Sequence, residues 1–201
     1  MVSSTGTSSK SAAARQRLLA AALEAFAAKG FNATTTRDIA NGAKMSSAAV
    51  YVHFRSKEEL LFELSEAGHR RILDVIDDVD DASAPPAERL RAVISAFTGH
   101  HAREHVGGRV VNYELAALAP EHLDTVMELR REITRRVRAI VDAGIAAGDF
   151  DVADAQATTN AMLSMGIDVA RWYRPEKGLS PEEMGRFYAD LATRMVGVRD
   201  R

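Results

Sequence analysis

From residue 11 onward apolar positions recur every three to four residues, and no stretch alternates with the period of a strand. Leu18, Leu19, Ala22, Leu23 and Phe26 form one helical stripe, and Gly30 ends it as glycine does just past a helix. Between 35 and 57 the pattern shortens. Thr35 or Thr36 can cap a short helix whose apolar residues are Ile39, Ala40 and Ala43. Ser46 or Ser47 can cap a second, with Val50 and Phe54 inward and Ala48, Ala49, Tyr51 and His53 outward. Ser56 caps a third that starts near Lys57 and runs past Leu60, Leu61, Leu64, Ile72 and Val75. Two short helices with small side chains at the crossing describe a helix-turn-helix, a unit whose second helix can enter a DNA major groove.

Longer helices follow, separated by clear breaks. Pro85-Pro86 opens a helix predicted over 86–105, with Leu90, Val93, Ile94 and Phe97 inward. Gly107-Gly108 is expected to break it, leaving a short helix over 109–118 before Pro120. The next runs over 121–147 on the stripe Leu123, Val126, Met127, Ile133, Val137, Ile140, Val141 and Ile145. Arg130, Arg131, Arg135, Arg136 and Arg138 are placed on its exposed face. An Ala-, Thr- and Met-rich helix is predicted over 152–173. Ser180, Pro181, Glu182 and Glu183 then read as cap, first-turn proline and favourable acids, starting a helix that carries Met184, Phe187, Tyr188, Leu191 and Met195. The expectation is an all-α chain of nine helices: a Ser/Thr/Gly-rich tail at 1–10 expected to be disordered, a helix-turn-helix unit at 11–56, and a larger helical unit at 57–201.

Composition adds three constraints. The chain has no cysteine, so disulfides and thiolate chemistry are excluded. No apolar run is long enough to cross a bilayer, and the polar first eleven residues have no apolar core like a signal peptide's, so a cytoplasmic protein without a membrane partner is expected. Charge is uneven. Residues 1–57 hold eight basic groups against Glu24 and Asp38, a net of +6, which leaves −8 for the remainder of a chain at −2. A basic unit on an acidic body suits a polyanion bound at one end.

The order T-x-R-D-I-A, then A-x-M-S-x-A-x-V-Y-x-H-F-x-S-K, preceded by R-L-L-A-A-A-L-E-A-F-A-A-K-G-F-N-A-T-T, resembles the DNA-binding domain of TetR-type transcriptional regulators without a gap over 15–64. The resemblance implies a helix-turn-helix domain followed by a ligand-binding and dimerisation domain. Thr36 and Arg37, at a helix N-terminus, are phosphate candidates by chemistry, and Tyr51 and Lys57 are phosphate candidates as in that family. Ser46, Ser47, Ala48 and Ala49 form the base-edge face, since hydroxyls bond either base type and Ala meets a thymine methyl. His53 either contacts the DNA backbone or packs. The family has Gly in the turn where this chain has Lys44, so either Lys44 takes a left-handed backbone or Gly42 shifts the turn; Lys44 can also reach a phosphate.

One short recognition helix reads few bases, so a homodimer on a palindromic operator is expected. The resemblance puts the dimer interface on the last two helices, with Ala161, Met165, Phe187, Tyr188, Leu191 and Met195 as its residues. Ala153, Ala157, Gly166 and Ala170 add small side chains that permit close helix approach. The order R-W-Y-R-P-x-x-x-L-S-P-E, with the His-His and Asn-Tyr-Glu segments upstream, is similar to TetR-type regulators of lipid and steroid breakdown. That similarity implies an acyl-CoA thioester as effector and names His101, Tyr113, Arg171, Trp172 and Arg174 as ligand candidates. The middle helices, 86–173, would then enclose the pocket.

Other chemistry is weak. His100-His101-x-x-x-His105 beside Glu104 has metal-like spacing, but histidines at a polar helix end are more often surface residues, and neither a metal nor a cofactor is expected. The acidic run at 74–81 lacks the glycine and spacing of a calcium loop. There is no Gly-rich phosphate loop and no nucleophile elbow, and Glu114 and Asp168 have no evident partner, so no enzyme is expected. The reading is a repressor released by a small molecule. Its rivals are a TetR-type regulator of another hydrophobic effector, as in efflux control, and a DNA-binding protein with no effector.

Overall fold

The computed structural model describes residues 5–198. Among them the chain is helical throughout: α1 (Thr5–Lys29), α2 (Thr36–Gly42), α3 (Ser47–His53), α4 (Lys57–Asp77), α5 (Pro86–Arg103), α6 (His105–Tyr113), α7 (Pro120–Ala146), α8 (Ala155–Trp172) and α9 (Pro181–Met195), with 3-10 turns at Leu115–Ala117 and Pro175–Lys177. No helix among these residues is long and apolar enough to cross a membrane.

The three short-range caps sit where hydroxyl residues precede the apolar stripes. Thr35 accepts from the Asp38 amide at 3.1 Å, while the Asp38 carboxylate takes the Thr35 amide at 2.9 Å, a reciprocal capping box. Ser46 accepts from the Ala49 amide and Ser56 from the Glu59 amide. Val50 and Phe54 are buried, and Phe54 lies just past α3 as its C-cap. The turn resolves onto Lys44: its φ is +55°, whereas Gly42 lies within α2 and packs towards Ala21. A left-handed backbone costs a residue with a β-carbon about 1 kcal/mol. Lys44→Gly should therefore raise the unfolding free energy by roughly 0.5–1 kcal/mol, read as an upward shift of the urea midpoint at unchanged slope.

Two large apolar clusters organise the chain. The first joins Leu18, Phe26, Ile39, Val50, Phe54, Leu60 and Leu61, and takes in Val110, Leu118 and Val126 from later in the chain. The second joins Ile72, Ile76, Leu90, Ile94, Phe97, Ile133, Val137, Ile140 and Met162. α4 contributes Leu60 and Leu61 to one and Ile72 and Ile76 to the other, so a single helix is embedded in both. α5 and α9 form the tightest pair. A β-carbon at Gly185 would overlap the Ser95 carbonyl oxygen, and one at Gly99 would lie 3.1 Å from the Pro181 carbonyl, so glycine on each helix lets the backbones meet.

Three expectations are corrected. Helix α1 begins at Thr5, six residues before the predicted start at 11, so residues 5–10 are helical where disorder was expected; Met1–Ser4 lie outside the described residues. Gly107 and Gly108 do not break the chain but sit inside α6, and the break falls at Glu104. The reason is packing. A β-carbon at Gly108 would stand 3.0 Å from the Ala170 side chain, and one at Gly107 would meet Leu23, so these glycines let α6 lie close to α8 and α1. Part of the small-residue stripe of α8 is also core: Gly166 faces Phe97 and Thr98 of α5, and Ala170 is fully buried, while Ala153, Ala157 and Ala161 are exposed.

Candidate nucleic-acid interface and effector cavity

The surface of α2 and α3 carries most of the DNA-contact candidates. Ser46, Ser47 and Ala48 are exposed around the start of α3, and Ala49 and His53 are half-buried beside them. Tyr51 is 58% exposed, and its hydroxyl lies 3.3 Å from the Thr36 hydroxyl, so the two helices present paired hydroxyls at one place. Val52 escaped the sequence reading. It is 79% exposed on α3, an apolar group suited to a thymine methyl, and its alternation with buried Val50 was the available signal.

The basic residues of the first 57 divide into two sets. Arg15 pairs with Glu63 and lies over the Phe54 ring, Arg17 donates to the Ala43 carbonyl, and Lys29 pairs with Asp38 at 3.0 Å. Hydrogen bonds from Thr35, reinforced by Lys29, hold the Asp38 carboxyl well below the usual carboxylate range. Lys57 donates to the Phe31 and Thr34 carbonyls at 2.6 and 2.7 Å and lies over the Phe31 ring. Its ammonium thus fastens the α1–α2 connection to the start of α4 instead of standing free for a phosphate. Among the described residues Lys10, Arg37, Lys44 and Arg55 form no ion pair and are exposed, and the last three flank the face formed by α2 and α3.

A cavity of about 530 Å³ opens between α4, α5, α6, α7 and α8, with Leu23 of α1 at its edge. Its apolar wall includes Leu64, Ile72, Phe97, Ile133 and Leu163. α4 was absent from the expected enclosure, and its presence places the cavity directly against the helix shared by both clusters. Three histidines line it. The Nδ1 atoms of His69 and His101 lie 2.7 and 2.9 Å from the Ser65 and Phe97 carbonyls, so each Nδ1 carries the proton and each Nε2 is left bare. Burial pulls both rings down to about 4, so both are neutral at pH 7, and burial lowers His100 in the same sense.

Arg130 is the main departure from the sequence reading, which put it on the exposed face of α7. Its Nη1 donates to Asn112 Oδ1 at 2.8 Å and to the bare His69 Nε2 at 3.2 Å, at the cavity wall. Spacing could have found it: Val126, Arg130, Ile133 and Val137 fall on one line of α7, and only the charge argued otherwise. Arg131, Arg135, Arg136 and Arg138 do pair at the surface, with Glu128, Glu132, Asp77 and Asp142.

The ligand candidates do not converge. His101 lines the cavity. Tyr113 and Trp172 border a shallower depression beside it, formed with Asp168 and Tyr188. Arg171 is exposed and lies 3.4 Å from Asp168, and Arg174 donates to the Tyr173 carbonyl. Neither guanidinium reaches the cavity lining. Glu114 and Asp168 both have structural partners, the Phe31 amide at 3.3 Å and the Tyr113 hydroxyl at 3.2 Å. His105 lies edge-on to Tyr173, and among the described residues no group of three His, Cys, Asp or Glu side chains is arranged for a metal ion.

The dimer candidates divide by exposure. Phe187 is 52% exposed and Ala161 is exposed, while Met165, Tyr188, Leu191 and Met195 are half-buried. Tyr188 and Met195 pack against the second apolar cluster, while Phe187, Ala161 and Trp172, at 48%, stand exposed on α8 and α9.

Known proteins match both halves of the chain. Residues 18–64 match the model described as bacterial regulatory proteins, tetR family, and residues 83–196 match tetracyclin repressor-like, C-terminal domain. An HTH-type transcriptional repressor of Mycobacterium tuberculosis, KstR2, is 33% identical over 92% of each chain. A solved structure of a regulatory protein in the tetR family from Rhodococcus RHA1 is 41% identical, with a TM-score of 0.90 over 93% of this chain and 98% of that one. The structure of the ketosteroid transcriptional regulator KstR2 of M. tuberculosis is 28% identical, with a TM-score of 0.82 over 93% of this chain and 95% of that one. With its C-terminal model covering more than half of the sequence and its helix-turn-helix matched separately, this chain belongs to the TetR family of bacterial regulatory proteins.

Proposed function

We propose that the chain is a transcriptional repressor that binds a palindromic operator as a homodimer and is released by a small-molecule effector, an acyl-CoA thioester being the class favoured by its likeness to ketosteroid regulators. The observation that carries this reading is the position of the cavity. It lies against α4, and the first residue of α4, Lys57, is bonded to the 31–34 connection of the helix-turn-helix. A ligand that favours one setting of α4 therefore favours one placement of α3, and operator affinity changes by that ligand's difference in affinity between the two settings. In this reading residues 11–56 bind DNA, with Ser46 to Ala49 and Val52 towards the bases and Thr36, Arg37, Lys44 and Tyr51 towards the phosphates. Residues 57–201 hold the effector and pair two chains through Ala161, Met165, Phe187 and Leu191. Two copies are needed because one seven-residue recognition helix supplies few base contacts.

The test is a fluorescence-anisotropy titration of the intergenic DNA beside the gene, with palmitoyl-CoA, a steroid acyl-CoA, free coenzyme A or no addition. Binding of two chains per site, weakened by a thioester and not by coenzyme A, is the expected result. Specific binding that no thioester alters would leave a regulator of some other effector. Absence of specific binding at low salt would remove the repressor reading altogether.

A further inference from the structure

Arg130 combines features that structural arginines lack. Burial lowers its pKa, and no carboxylate lies within ion-pairing distance of it among the described residues. The acids nearest in the lining are Glu104, which faces His100, and Asp168, which is held by Tyr113 and Arg171. Both Nη1 protons are committed, to His69 and Asn112, and Asn112 is itself fixed by donating to the Gly108 carbonyl at 2.9 Å. Nη2 and Nε have no acceptor among the described residues. They are not sealed in the core, since the side chain borders both the 530 Å³ cavity and the shallower depression beside Trp172. A guanidinium withdrawn from bulk water without an anion is costly, while a fork of free donors matches a carboxylate. His69 and His101 are neutral and Glu104 acts on His100, so none of these groups supplies a counter-charge to Arg130.

We infer that Arg130 is a specificity-determining anchor that takes a carboxylate carried by the effector, with the apolar body of the same molecule against Leu64, Ile72, Phe97, Ile133 and Leu163. This rests on the cavity being the effector site. The ligand class is then an amphipathic carboxylate. Its source is either a free alkyl carboxylic acid or a thioester whose acyl part bears a second carboxylate.

Isothermal titration of the full chain with two matched pairs distinguishes them: decanoate against 1-decanol, and the mono-coenzyme A thioester of decanedioic acid against decanoyl-CoA. The member bearing the extra carboxylate should bind about tenfold tighter or more in at least one pair, and Arg130→Met should erase that preference. Arg130→Lys, which keeps the charge, should retain part of it. A preference in the first pair assigns the free acid, and one in the second pair alone assigns the substituted thioester. Equal affinities in both pairs, no binding of either carboxylate, or a preference that survives in Arg130→Met would each overturn the inference. Should Arg130→Met not fold, the wild-type pairs and Arg130→Lys still decide. Operator release by decanoyl-CoA without a carboxylate preference would keep the repressor reading and sink this one. Carboxylate binding with no operator response would do the reverse.

Discussion

Ala48→Glu abolishes operator binding, with an expected loss of roughly a hundredfold or more at physiological salt. Ala48 is exposed at the second residue of α3, between the Ser46 cap and Tyr51. A carboxylate there meets phosphates and the acceptor-rich purine edges of a major groove, and like-charge juxtaposition costs several kcal/mol. The fold gives no reason for the variant to fail. No core contact is lost, the Ser46 hydroxyl still takes the Ala49 amide, and an acid in the first turn of a helix is mildly favourable. The unfolding free energy from urea titration should therefore stay within about 0.5 kcal/mol of wild type while anisotropy shows no specific complex. Ala48→Ser, which keeps a short side chain, should bind within a few fold of wild type. A folded Ala48→Glu chain that bound with wild-type affinity would mean that α3 does not enter the groove.

What could be read in advance follows how local each determinant is. The caps at Thr35, Ser46, Ser56 and Ser180 act within three residues, so hydroxyl placement alone located four helix starts. The turn was narrowed only to a left-handed Lys44 or a shift at Gly42, through the glycine that the resembled family has there, and the structure places it at Lys44. Gly107 and Gly108 were misread because glycine carries two meanings. It breaks an isolated helix, but it also lets a packed one approach its neighbour, and only the positions of Ala170 and Leu23 decide between them. Arg130 and His69 were hidden differently. Each lies on an inward line of its helix, His69 between Ser65 and Ile72 and Arg130 between Val126 and Ile133, yet residue type points to solvent. Sequence patterning assigns polar residues outward as a rule, so a polar site inside a cavity is the class of feature it passes over.

Those same buried histidines make the protein acid-sensitive in a defined window. Taking the pH from 7 to 5 should lower the unfolding free energy by about 4 kcal/mol, roughly 2 kcal/mol for each of His69 and His101. Both rings titrate near 4 in the folded chain because burial disfavours their charged forms, against 6.5 when exposed. Between those values His69 and His101 bind two protons in the unfolded chain that they refuse in the folded one, and His100, lowered by burial in the same sense, adds to the difference, so stability is complete above about 6.5 and declines as pH falls towards 4. The neighbours do not reverse this. Arg130 on α7 disfavours a second positive charge at either histidine, and His100 adds to the effect at His101. The Ser65 and Phe97 carbonyls favour the charged rings but are outweighed by burial, and Glu104 acts on His100 instead. The carboxylates of Asp38 and Glu183 are held below their usual range by hydrogen bonds from Thr35 and Ser180, so their loss belongs to stronger acid. Urea unfolding at half-unit steps should give a slope approaching about 2.7 kcal/mol per pH unit near pH 5 from His69 and His101 together, and His101→Gln should lower the slope by about 1.4 kcal/mol per pH unit whatever its effect on stability at pH 7. An unfolding free energy that does not change between pH 7 and 5 would mean that these rings are solvated, and the wall around Arg130 would then be wet as well. A carboxylate seated at Arg130 would place negative charge beside His69 and raise its affinity for a proton. The slope measured with saturating decanoate should then be shallower than the slope without it, which links the acid response to occupancy of the cavity.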